Sequence, residues 1–186
     1  YGYGSDFGFA KGINLRDKIG TAWSESKLLW NIYQSKIQAL PETETGTSET
    51  RKLWMIPFLM ELAYDPDTSK AVEIDGKSYA ISHHDSKRDQ FPILIMGHFD
   101  KLDSKPDGNR LRMSPHALMQ EYLNKTEHLY GLVTNGRSIR LIRDSYRLAR
   151  LSFIEFDLER IYEEELYFEF ALLYRLLHST RMPGRL

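Results

Sequence analysis

The apolar positions Leu28, Leu29, Ile32, Tyr33, Ile37 and Leu40 recur at helical spacing and predict a helix over 21–40, ended by Pro41. Upstream, Gly2, Gly4, Gly8 and Gly12 disfavour a helix within 1–19, although Tyr1, Tyr3, Phe7 and Phe9 offer rings for packing. Residues 41–47 are polar and aperiodic and read as a linker. A second helix is predicted from a cap at Ser48 to about Tyr64, with Glu49 in its first turn and a kink at Pro57.

After Asp65-Pro66-Asp67 the period changes to that of strands. Short strands are expected at 71–74 and 77–82 around an Asp75-Gly76 turn, then a polar loop over 83–90. The unbroken apolar run 92–96 marks a central strand buried on both faces. A polar loop over 100–113 leads to a helix started by Ser114-Pro115, with Leu118, Met119, Tyr122 and Leu123 inward. Strands follow at 129–134 and 138–143 around Asn135-Gly136, the strongest hairpin signal in the chain, and again at 151–156. Asp157 caps a short helix, and 163–180 form the last one. This order predicts an α/β fold, a central mixed sheet flanked by helices, with its core on Ile93, Leu94, Ile95, Leu129, Leu132, Val133, Ile139 and Leu141.

Composition narrows the class. With 186 residues, 41% hydrophobic and 12% aromatic, the chain can bury a core, and disorder throughout is excluded. No apolar run reaches the roughly 18 residues of a membrane span. A net charge of -1 favours no partner by itself, and the absence of cysteine removes disulfides, thiol catalysis and Cys-based metal sites. A cytoplasmic protein is the expectation. The opening Tyr1 without Met and the abrupt end at Arg185-Leu186 lead us to expect a fragment of a longer protein.

Candidate chemistry is sparse. His83-His84 are adjacent, and neighbours on a strand face opposite ways, so a surface role is favoured over a metal site. Asp100 and Asp103 follow the central strand, where α/β sheets place functional groups, and Asp85 precedes it. A solvated loop is the favoured reading, with a carboxylate site as the alternative. The chain has no nucleophile elbow, Walker motif or G-x-G-x-x-G. Between 137 and 150, Arg137, Arg140, Arg143, Arg147 and Arg150 stand against the single acid Asp144. Such arginines suit phosphate contacts, or they pair with Glu155, Asp157, Glu159 and the acids of 163–169.

Four stretches together carry a resemblance: Met113-Ser-Pro-His-Ala-Leu-Met-Gln-Glu-Tyr-Leu-Asn124, Tyr130-Gly-Leu-Val-Thr-Asn-Gly136, Ile139-Arg-Leu-Ile-Arg-Asp144 and Phe153-Ile-Glu-Phe-Asp-Leu-Glu159. Glu165-Leu-Tyr-Phe-Glu-Phe-Ala-Leu-Leu-Tyr174 and Tyr79-Ala-Ile-Ser-His83 extend it over roughly residues 48–182. The chain resembles the N-terminal region of large bacterial restriction–modification methylases of the single-chain type II and phage-defence kind. That region is similar to the nuclease domain of type I restriction subunits, a PD-(D/E)xK fold.

The resemblance implies a nuclease-like α/β domain at 48–186, preceded by a segment, 1–47, with one helix and a linker. It implies a parent protein that is an adenine-specific DNA methyltransferase using S-adenosylmethionine, with DNA and the parent's other domains as partners. Where the fold would carry Glu-x-Lys, this chain has Met96-Gly97-His98, and the preceding strand, Ser78-Tyr-Ala-Ile-Ser82, has no Asp. Metal-dependent hydrolysis needs converging carboxylates. The expectation is therefore a degenerate domain without catalytic residues or cofactor, contacting DNA through Arg137, Arg140, Arg143 and Arg147 or bracing its neighbours. One alternative is an active Mg²⁺-dependent endonuclease with a migrated site at Asp85, Asp100 and Asp103; another is an interaction platform in a phage-defence complex.

Overall fold

The computed structural model describes residues 2–145 and 152–183. Helix α1 (Leu15–Gln38) starts earlier than expected, because Leu15, Ile19, Ala22 and Trp23 extend the buried stripe and the Asn14 side chain caps Arg16 N–H. A second helical run follows as α2 (Thr47–Glu49), a π-helical turn (Thr50–Met55) and α3 (Ile56–Glu61). The run begins at Gly46 and Thr47 rather than at a Ser48 cap. A π-helical stretch stands just before Pro57, where a kink was expected. Proline cannot donate to the carbonyl four residues back, and just before it Ile56 N–H reaches five residues back to Arg51.

The main sheet has six strands in the order β1 (Pro66–Thr68), β4 (His83–Asp85), β5 (Phe91–Ile95), β6 (Tyr130–Thr134), β7 (Ser138–Arg143) and β8 (Phe153–Asp157). Only β5 and β6 are parallel, joined through α4 (Pro115–Lys125), so the sheet is mixed. Strands β2 (Val72–Ile74) and β3 (Lys77–Tyr79) form a separate hairpin, and Asp75 and Gly76 turn it with positive φ. The loop expected over 83–90 is corrected in its first part. His83–Asp85 is strand β4, in register with Ile93, Pro92 and Phe91. Its inward residues are His83 and Asp85, so no apolar alternation betrays it. The strand expected to reach residue 82 ends at Tyr79.

Alternation along β5 divides the core. Ile93 and Ile95 face a thick layer built from α1, α3, α5 (Leu158–Glu163) and α6 (Tyr167–Leu177), where Trp30, Tyr33, Trp54, Phe58 and Phe170 interlock. Leu94 and Met96 face a thinner layer with Leu118, Met119 and Leu123 of α4 and Tyr79 of the hairpin. Burial on both faces explains the unbroken apolar run. Leu129, expected in the core, is only half-buried just before β6. The segment before residue 47 shares the main core with the rest of the chain through Ile19, Trp30 and Tyr33.

Among the described residues no helix is long and apolar enough to cross a membrane.

Candidate phosphate-facing cleft at the ends of the parallel strands

Strands β5 and β6 run in parallel, so their C-terminal ends lie side by side, the place where open α/β sheets bind ligands. Beyond Ile95 the chain packs tightly against 45–47: a Cβ at Gly97 would collide with the Thr45 carbonyl. The chain therefore turns here on glycine, and His98 is delivered into the interior. His98 Nδ1 lies 2.5 Å from the Tyr33 hydroxyl, which is 3.2 Å from Thr50 Oγ1 on the π-helical turn. Burial, reinforced by the positive charge of Arg137, holds the His98 pKa down to about 4, so the ring is neutral near pH 7. Burial also raises the Tyr33 hydroxyl well above its ordinary value.

Beside this pair, Asp100 accepts from Gly97 N–H at 2.9 Å and binds Arg110 through both oxygens, at 2.6 and 3.1 Å. Asn135 closes the end of β6 with its side chain. Its amide donates to the Asp100 carbonyl at 2.8 Å, and its Oδ1 accepts from Arg137 N–H and Ser138 N–H. Arg51 reaches across from the π-helical turn, and its Nε and Nη2 both donate to the Ile95 carbonyl, at 3.0 and 2.8 Å.

The three aspartates do not converge. Asp85 pairs with Phe91 at the start of β5, whereas Asp100 follows its far end, roughly 13 Å away at 3.3 Å per residue. Asp85 is fully buried; its Oδ1 accepts from Asp65 N–H and Lys87 N–H, and its Oδ2 has no hydrogen-bond partner. Asp103 grips Arg140 with both oxygens, at 2.6 and 2.8 Å, and that arginine holds its carboxyl below the usual range. Among the described residues no three His, Asp or Glu side chains are grouped to hold a metal ion. His83 and His84 turn to different partners, Ser82 and Ser69.

The arginine run is split as well. Arg137 follows the C-terminal end of β6 and pairs with Glu159 at 3.1 Å. Arg140 is buried in the middle of β7, clamped by Asp103 and Glu155, 3.1 Å from His116 Nδ1 and stacked on Phe153. These carboxylates raise its pKa further. Arg143 is exposed and pairs in register with Tyr130 at the opposite end of the sheet. Arg147, with Arg150, lies outside the described residues. The pairing with acids that the sequence offered as the alternative thus holds for Arg137 and Arg140. Sequence reasoning did not single out Arg51, Arg110 or Tyr33: each is a lone residue in an ordinary helix or loop pattern, and only the topology gathers them.

No protein-family model matches this chain, and neither a curated protein nor a solved structure matches it.

Proposed function

We propose that this chain is a nuclease-like domain that contacts DNA without cutting it, as part of a cytoplasmic restriction–modification methylase whose other domains hold S-adenosylmethionine. The carrying observation is Arg51, which among the described residues has no acid within ion-pair distance at the end of β5, with the acid-paired Arg110 beside it and the acid-paired Arg137 after β6. The neighbouring carboxylates Asp100 and Asp103 are each already held by an arginine. An arginine-held carboxylate is a poor ligand for a divalent ion, whereas a guanidinium is well suited to phosphate. The succession of helix, antiparallel strands β4 and β5, then α4 with Gln120 and Tyr122, then β6 with Thr134-Asn135-Gly136 supports the PD-(D/E)xK likeness.

Binding to a duplex oligonucleotide titrated with salt tests the reading. We expect weak, sequence-independent binding whose log K falls linearly with log salt, by about 0.9 per phosphate contacted. No binding at low salt would refute it. Cleavage with Mg²⁺ that is lost on Asp100→Asn or Asp103→Asn would replace it with the endonuclease reading.

A second reading rests on α6. Phe168, Leu172 and Leu176 lie exposed along one side, and Leu172 and Leu176 border an apolar groove of about 600 Å³ with Ile154 and Leu141. Such a face suits a protein neighbour and favours a bracing or platform role. Glu substituted for Leu172 would then disrupt assembly with the parent's other domains and leave DNA binding unchanged.

A further inference from the structure

Next to the Asp100–Arg110 pair lies a cleft of about 430 Å³, within the range of small-ligand sites. One wall carries Arg51 and Arg110 with the hydroxyls of Thr45 and Thr47, which stand 2.8 Å apart; Leu94 and Met96 of the central strand form an apolar floor. Arg51 is half-buried, and among the described residues no carboxylate lies within ion-pair distance of it. Its Nε and Nη2 are committed to the Ile95 carbonyl, which fixes the plane of the guanidinium and leaves Nη1 without a partner there. The charge of Asp100 acts on it, but both Asp100 oxygens are bound by Arg110. Arg51 and Arg110 against Asp100 leave one cation in excess at the cleft; Asp107, the other acid acting on Arg110, is exposed and screened by water. Burying a cation is costly, and here the Ile95 carbonyl and the charge of Asp100 offset it without an ion pair.

We propose that this cleft is a binding site for a single phosphodiester of a nucleic-acid strand, with Arg51 as the anchoring cation. A phosphodiester carries one negative charge and so balances the cleft. Thr45 and Thr47 hydrogen-bond to each other, which commits one hydroxyl hydrogen, so Nη1 of Arg51 and the one remaining hydroxyl hydrogen supply donors for its two free oxygens. The apolar floor under Leu94 and Met96 accepts the face of the adjoining sugar or base. This deepens the DNA-contacting reading and rests on it, because it names the residues through which a strand would be held.

The test is an NMR titration of the whole chain with the dinucleotide thymidylyl-thymidine, whose only charge is one phosphodiester. Its neutral methylphosphonate analogue and a longer single-stranded oligothymidylate are titrated in parallel. We expect shifts at the amides of Thr45, Thr47, Ala80 and Gly97 with the dinucleotide and not with the neutral analogue. Arg51→Met should weaken dinucleotide binding about tenfold or more, the loss of one charge-assisted contact, and Arg51→Lys should recover part of it. Equal shifts from the neutral analogue would overturn the site, and that comparison needs only the unaltered protein. Binding of the oligothymidylate without shifts in the cleft would overturn the site and leave the DNA-contacting reading standing. No binding of either would overturn both. Binding of the dinucleotide in the cleft without affinity for the longer strand would overturn the proposal as a strand contact.

Discussion

Gly136 is held in place twice over. Its φ of +81° is one that L side chains rarely adopt, and a Cβ there would stand 2.8 Å from the Tyr33 hydroxyl, 2.9 Å from Thr50 Cγ2 and 3.1 Å from Trp54 Cδ1. Its carbonyl also accepts from Trp54 Nε1 at 2.9 Å. Gly136→Ala should therefore cost about 2–4 kcal/mol, backbone strain added to overpacking, read as a lowered urea midpoint at unchanged slope. The turn itself was legible in the sequence, because Asn-Gly between two apolar runs has a local cause. Its detail was not. Asn135 stays out of the left-handed region and closes the turn with its side chain, and Tyr33 and Trp54 arrive from distant helices. Arg140 shows the same divide. Its charge was visible, but its partners Asp103 and Glu155 lie on other elements. Arg140→Gln should lower stability by about 1–3 kcal/mol, since Asp103 and Glu155 keep much of their access to water. An unchanged melting temperature would show that the clamp contributes nothing.

Three histidines mark the ends or edges of elements: His83 on β4, His98 beyond β5 and His178 closing α6. Burial holds each pKa down to about 4 from an ordinary 6.5. The unfolded chain therefore takes up protons between pH 6.5 and 4 that the folded chain refuses. Stability is full above pH 6.5 and falls as pH drops toward 4, by at most about 1.4 kcal/mol per pH unit for each histidine. Thermal melts across that window should show it, and replacing His178 with Gln should make the fall shallower. An unaltered profile in that variant would mean that His178 takes no part. Strand β4 also explains where sequence reading stopped. Helices α1 and α4 were legible from their apolar periodicity, although Leu28 and Ile32 of the stripe expected in α1 are exposed, and β5 and β6 were legible as short apolar runs. A three-residue strand whose buried side chains are His and Asp leaves neither signal.

At the scale of the molecule, the sheet divides two unequal layers. The α1, α3 and α6 side stacks Trp30, Trp54 and Phe58 among many fully buried neighbours. The opposite side has α4 and the β2–β3 hairpin, which bury Leu118, Met119, Leu123 and Tyr79 and are tied further at the surface. Glu121 receives Tyr79 at 2.7 Å and Arg112 at 3.0 Å, and Lys125 meets Asp75 at 2.9 Å. Bonding to Tyr79 and Arg112 holds the Glu121 pKa down to about 2, so this tie is complete above about pH 4.5 and is lost as pH falls toward 2. The mixed α/β class was readable from the order of elements; the inequality of its faces was not, because it depends on which helices return to which side.

That inequality sets a hierarchy in time. A layer that buries fewer apolar groups opens at lower free energy than the whole molecule unfolds. Amides of β2, β3 and α4 should then trade hydrogen for deuterium first, as one group, while β5, β6 and α1 hold theirs until global unfolding. The cleft is floored by Leu94 of β5 and by Met96, walled on one side by Arg51 and on the other by Ala71, Ala80 and Ile81, which flank the β2–β3 hairpin. Its lining would thus loosen on one side while the anchoring arginine stayed fixed. A strand held there could leave by the motion of the hairpin side alone, without the molecule coming apart.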